Sequence, residues 1–137
     1  MQKFTLMAQE ALEDAQKKAH SHHHQQIDEA HVTLALLDQK GGVVPSLIKK
    51  TGVPLEALRS KLIDLLKNRP AVSGPGASDT AQISPKLAAL IQKAEKEAGD
   101  LKDDYISTEH LFLVFFDTSS AVAPILHGEG LDRKQIL

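Results

Sequence analysis

The chain has 137 residues, 16 Lys+Arg against 18 Asp+Glu for a net charge of −2, 42% hydrophobic residues, 4% aromatics and no cysteine. Near-balanced charge argues against nucleic acid as the main partner, since neutralising phosphates needs a basic face. The lack of cysteine excludes a disulfide scaffold, a thiolate metal site and a cysteine nucleophile, and it agrees with a reducing, cytoplasmic setting. No stretch nears the roughly 18–20 consecutive apolar residues of a membrane span, and residues 1–18 lack the apolar core of a secretory signal.

Thr5 is a good N-cap, and Leu6, Ala8, Ala11, Leu12, Ala15 and Ala19 follow at the three-to-four spacing of one buried helical face. His20, His22, His23 and His24 crowd the expected loop after this helix. They read as a solvated polar loop, because one loop without supporting carboxylates rarely builds a metal site; adventitious binding of a divalent metal is the alternative. Asp28 caps a second helix, whose body from His31 to Leu37 is apolar nearly all round and so belongs at the centre of the molecule. A third short helix is expected over 43–50, closed by Gly52, and a fourth from Pro54 through Leu55, Leu58, Leu62, Leu65 and Leu66. Residues 68–82, with two prolines, two glycines and small polar residues, read as a connector.

After the connector the pattern returns. Ile27, His31, Leu34, Asp38, Pro45 and Leu47 match Ile106, His110, Leu113, Asp117, Pro124 and Leu126 at one offset, the distance from 31 to 110. Ala15 and Ala19 meet Ala94 and Ala98 in the same register. Ser84 then repeats the cap of Thr5, with Pro85 in the first helical position, where its missing N–H costs nothing. Leu87, Leu90, Ile91, Ala94 and Ala98 repeat the apolar face. Ser107 repeats Asp28, the apolar body runs over 110–116, a short helix follows over 122–128 closed by Gly130, and a truncated fourth begins near Asp132. The expected fold is all-α: two pseudo-symmetric four-helix repeats, 4–67 and 83–137, packed as one domain with their second helices inside.

Catalytic motifs are missing. Gly74-Pro75-Gly76 lacks the Lys-Ser/Thr of a phosphate loop, and there is no His-Glu-x-x-His or Gly-x-Ser-x-Gly. No catalytic or metal residue is assigned, and the chain is not expected to be an enzyme. His31 and His110, equivalent in the two copies, read as structural. Asp103, Asp104 and Glu109 around Ser107 have two readings: carboxylates favoured by a helix N-terminus, or the polar rim of an apolar groove.

Phe4, Thr5, Ala8, Ala11, Leu12 and Ala15, followed by Ile27, Asp28 and His31, resemble the amino-terminal domain of Clp heat-shock AAA+ chaperones. So does the unbroken run Asp104 to Leu111, and the connector from Arg69 to Gly74 is most similar to the ClpB disaggregase branch. Phe115 and Phe116 depart from it, standing where leucine or alanine is common. The resemblance implies a substrate-recruiting module for unfolded or aggregated polypeptide. ATP and magnesium would be bound by ATPase domains beyond residue 137, the full-length protein would be a hexamer working with the DnaK system, and the isolated domain a monomer. It carries Thr5, Asp103 and Glu109 over as polar positions of the client groove. Leu6, Leu87, Leu90 and Ile91 are the candidate apolar positions. The alternative within the same resemblance is a docking domain for a folded adaptor of a Clp protease.

Overall fold

The computed structural model describes residues 3–71 and 81–137. Its elements run α1 (Leu6–Ser21), β1 (Gln26–Ile27), α2 (Glu29–Leu37), α3 (Val43–Thr51), α4 (Leu55–Lys67), β2 (Gln82–Ile83), α5 (Pro85–Asp100), α6 (Thr108–Val114), α7 (Ala123–Gly128) and α8 (Arg133–Ile136). No helix among the described residues is long and apolar enough to cross a membrane.

The anticipated caps are in place. Thr5 Oγ1 accepts from the Ala8 N–H at 3.2 Å, and Ser84 Oγ from the Leu87 N–H at 3.1 Å. Asp28 Oδ1 accepts from the Ala30 N–H at 2.9 Å, and Ser107 Oγ from the His110 N–H at 3.3 Å. Gly52 and Gly130 both take the left-handed backbone (φ 84° and 91°) that ends a helix and that a Cβ disfavours. Other details differ. α6 ends at Val114, so Phe115 caps it and Phe116 lies in the following turn. His20 belongs to the last turn of α1 instead of a loop, and His24 is buried instead of solvated. Residues 72–80 of the connector lie outside the described residues, while Gln82 belongs to a strand.

That strand exposes how the two copies join. β1 pairs in parallel with β2, Gln26 opposite Gln82 and Ile27 opposite Ile83. An isolated parallel bridge joins Phe4 to Ile106. Phe4 is the repeat mate of Ile83, and Ile27 of Ile106. Each copy therefore lends the segment before its first helix to the segment before the other copy's second helix. The hydrogen bonds repeat the symmetry: Thr5 N–H to Ile106 O at 3.0 Å, Ser84 N–H to Ile27 O at 2.9 Å. An exchange of this kind is the intrachain form of a two-fold, isologous contact.

The helices pack about this seam. α1 lies on α2 and α5 on α6, and α2 and α6 touch at the centre. Ala8, Ala11, Ala15 and Ala19 are each fully buried, so α1 approaches its neighbours with little side-chain bulk between. Phe112 and Phe115 are among the largest fully buried side chains. A charged cluster ties the first copy: Asp38 accepts from Lys18 Nζ at 2.9 Å and Arg59 Nε at 2.8 Å. Burial pushes the Asp38 carboxyl up, but the hydrogen bonds from Arg59 and Lys18 outweigh it and hold it below 3.8.

Phe115→Ala is expected to cost about 3–5 kcal/mol, measured by denaturant unfolding, because the ring is wholly enclosed. Asp38 has a depressed folded pKa, so its contribution is full above the unfolded value of 3.8 and lost as pH falls through the lower folded value. Asp38→Asn should cost roughly 0.5–1 kcal/mol at neutral pH and shrink the stability loss seen in unfolding curves taken below about pH 4.

Candidate functional site

The crossed bridge brings residue 5 of the first copy beside the α5–α6 turn of the second. Lys102 takes a left-handed φ of 61°, which lets the Asp103 N–H return to Ala98 O at 2.8 Å and close α5. The chain then reaches Ile106, whose N–H donates to Lys3 O at 2.7 Å. Between these two fixed points the turn stands out from the surface.

An open cleft of about 540 Å³ lies here, lined by Thr5, Leu101, Asp103, Asp104, Tyr105, Ser107, Glu109, His110, Leu113, Ile136 and Leu137. Its floor is Leu113 and Ile136, 5% and 6% exposed; its apolar rim is Leu101, Tyr105 and Leu137, 59%, 52% and 70% exposed. Three carboxylates share the wall, Asp103, Asp104 and Glu109. Thr108 Oγ1 donates to Glu109 Oε1 at 2.9 Å.

His110 orders this wall. Its Nδ1 accepts from the Ser107 N–H at 2.9 Å, which puts the proton of the neutral ring on Nε2. Nε2–H then donates to Asp103 Oδ2 at 2.9 Å. The histidine thus completes a capping box at the start of α6 and anchors the turn that presents Leu101 and Tyr105. The structural role expected of His110 has a geometry here, and His31 completes the matching box at the start of α2.

The structure brings Thr5, Asp103 and Glu109 to one cleft and separates them from the other expected site residues. Leu6, 68% exposed, follows Thr5 but does not line the cleft. Leu87, Leu90 and Ile91 are corrected to core: they are 0%, 3% and 4% exposed on the face by which α5 packs on the rest of the molecule. Leu87 also borders a separate cavity of about 230 Å³ with Leu12 and Ile83. The apolar lining comes instead from Leu101, Tyr105, Ile136 and Leu137, which periodicity does not single out. Leu101 and Tyr105 continue the three-to-four spacing of Ala94 and Ala98, so the pattern reads them as buried, and only the end of α5 at Asp100 takes them off that face. Among the described residues no group of three or more His, Asp or Glu is placed to hold a metal.

The model of the Clp repeat (R) N-terminal domain family matches residues 3–128. The chaperone protein ClpB of Bacillus cereus is 40% identical over 116 residues, 84% of this chain and 13% of the relative. That of Nitratidesulfovibrio vulgaris is 39% identical over 138 residues, 98% of this chain and 16% of the relative. The chain thus spans less than a fifth of the length of these curated relatives. Among solved structures, the Hsp104 N-terminal domain of Candida albicans superposes with a TM-score of 0.84 at 18% identity, covering 98% of this chain and 87% of that one. A ClpV N-domain in complex with a VipB peptide superposes at 0.76 and 19% identity, covering 98% and 82%. With a family match over nearly its whole length and a fold shared with the solved N-terminal domains, the chain belongs to the Clp repeat N-terminal domain family.

Proposed function

We propose that this chain is the client-recruiting module of a ClpB-like disaggregase, and that the cleft between Thr5 and the α5–α6 turn takes segments of non-native polypeptide. The observation that carries this reading is the juxtaposition of exposed Leu101, Tyr105 and Leu137 with Asp103, Asp104 and Glu109 on one rigid wall. An unfolded segment offers apolar side chains, unpaired backbone N–H groups and cations; the rim buries the first, and the carboxylates accept from the others.

Burial stabilises by roughly 25 cal/mol per Å² of apolar surface, and the client must lose conformational freedom on binding. A shallow cleft therefore holds one segment weakly. In the assembly proposed here, a hexamer in the cytoplasm, several such domains act on one client and avidity supplies the retention. ATP and magnesium would act in further domains, and handover from the DnaK system would precede capture.

A second reading is a docking domain for one folded partner. It is favoured by the ClpV N-domain that was solved with a VipB peptide and shares this fold.

Titrating the ¹⁵N-labelled chain with casein should move the amide signals of Thr5, Asp103 and Tyr105 first. Tyr105→Ala should weaken that binding about tenfold, ~1.4 kcal/mol, with little change in thermal stability because the ring is half exposed. Shifts confined to other surfaces, or indifference to casein with tight one-to-one binding of a folded protein, would favour the docking reading. Thr5→Ala should cost about 1 kcal/mol of stability through the lost cap, and Thr5→Ser should restore it.

A further inference from the structure

The two copies differ in what their second-helix histidine holds. His24 and His31 occupy the positions of Asp103 and His110. The backbone around them is alike: His23 has a left-handed φ of 59°, and the His24 N–H returns to Ala19 O at 2.9 Å. His31 Nδ1 accepts from the Asp28 N–H at 3.0 Å, as His110 Nδ1 does from Ser107, so the neutral His31 ring also carries its proton on Nε2. That proton points to His24 Nδ1 at 2.8 Å. In the second copy the acceptor is a carboxylate; in the first it is an imidazole, which becomes a donor when it binds a proton.

We propose that the His24–His31 pair is a proton-operated latch, which on acidification releases the turn 22–26 from α2 in the first copy while the Asp103–His110 pair keeps the second copy closed. A charged His24 would direct an N–H at the N–H of His31, and water has little access to either ring to relieve the clash, their exposures being 7% and 1%. The groups facing His24 are His31 and Asp28 at the start of α2, His22 beyond the end of α1, and Arg69 beyond α4. The His22 ring stacks on it, centroids 5.4 Å apart, and Lys18 and Lys67 lie near His22. Asp28 is shared with Arg69 at 3.3 Å. Of these only Asp28 favours a charged ring. Burial first, then His31 and His22, hold the His24 pKa below 6.5, so the latch stabilises fully above that value and its contribution is lost as pH falls through the lower folded value.

Release acts on the seam. His24 leads directly into β1, and the Gln82 N–H donates to Gln25 O at 3.1 Å. A freed turn therefore loosens β1 from β2 and opens the cleft of about 250 Å³ that His24, Asp28, His31 and Arg69 line.

The test is amide hydrogen exchange of the full chain at about pH 7.5 and about pH 5, the window in which histidine titrates, read as protection factors. Protection of residues 24–27 and 82–84 should fall about tenfold at the lower pH, with residues 103–106 unchanged. His24→Asp, which installs the second copy's pair, and His24→Asn, an acceptor that does not titrate in this window, should both keep the protection. Equal loss in both copies, no loss at all, or the same loss in both variants would overturn the latch. The ring ¹⁵N signals of the unmodified chain decide it independently of the variants' folding. A His31 proton on Nε2 that is lost from its hydrogen bond as His24 titrates supports it, and a His31 proton on Nδ1 at about pH 7.5 overturns it.

Discussion

The crossed backbone pairing of the two copies is the constraint on which the rest of the molecule depends. Phe4 meets Ile106, and Ile27 meets Ile83, so the segment before each of these helices is paired with the other copy. The apolar bodies of α2 and α6 are buried almost all round: α2 is covered mainly by α1, α4 and α3 of its own copy, and α6 by α5 of its own copy together with α3, α1 and α2 of the other. Pairing the segments just before these helices sets both against each other at the centre. The same pairing carries Thr5 across to the α5–α6 turn. A cleft of the second copy that borrows Thr5 from the first is thus a by-product of the way the core is closed.

Around that shared frame the copies have diverged in polarity. Asp38 and Asp117 are repeat mates, and both are paired with a lysine of the first helix of their copy. The lysines are not mates: Lys18 stands where Glu97 does, and Lys93 where Asp14 does. Either arrangement ties the end of the second helix to the first helix. Glu97 is left to pair with Arg133 at the start of α8. The ion pairs therefore follow the geometry of the repeat, while the choice of which residue carries the cation is free.

Much of the frame is legible in the sequence because it depends on local chemistry. The caps Thr5, Asp28, Ser84 and Ser107, the helix-ending glycines and the alanine stripes each declare themselves within one or two turns. The repeat offset then fixes which elements correspond. What sequence does not reveal is which face of a periodic helix stays uncovered. Leu87, Leu90 and Ile91 have the pattern of any buried stripe, and only packing on the neighbouring helices decides that they are core. Leu101 and Tyr105 continue the spacing of Ala94 and Ala98, yet they are exposed because α5 ends at Asp100 and a left-handed residue and a crossed strand hold their turn outward. The strands themselves are two residues long, too short to leave a pattern, and they exist only because a distant copy supplies their partner.

The turn after the first helix is where shared geometry and divergent chemistry meet. Both copies place a second-helix histidine in a capping box and aim its Nε2–H at residue 24 or 103. In the second copy the acceptor is a half-exposed carboxylate, which can face solvent at little cost. In the first it is a buried imidazole, whose only free lone pair is spent on His31 and whose flank is covered by His22. One backbone design therefore gives a larger acidic cleft on one side of the pseudo-two-fold and a smaller one, where Asp28 is offset by Arg69, on the other. The exchange of Asp103 for His24 leaves the half-exposed carboxylate on the wall that also carries Leu101 and Tyr105.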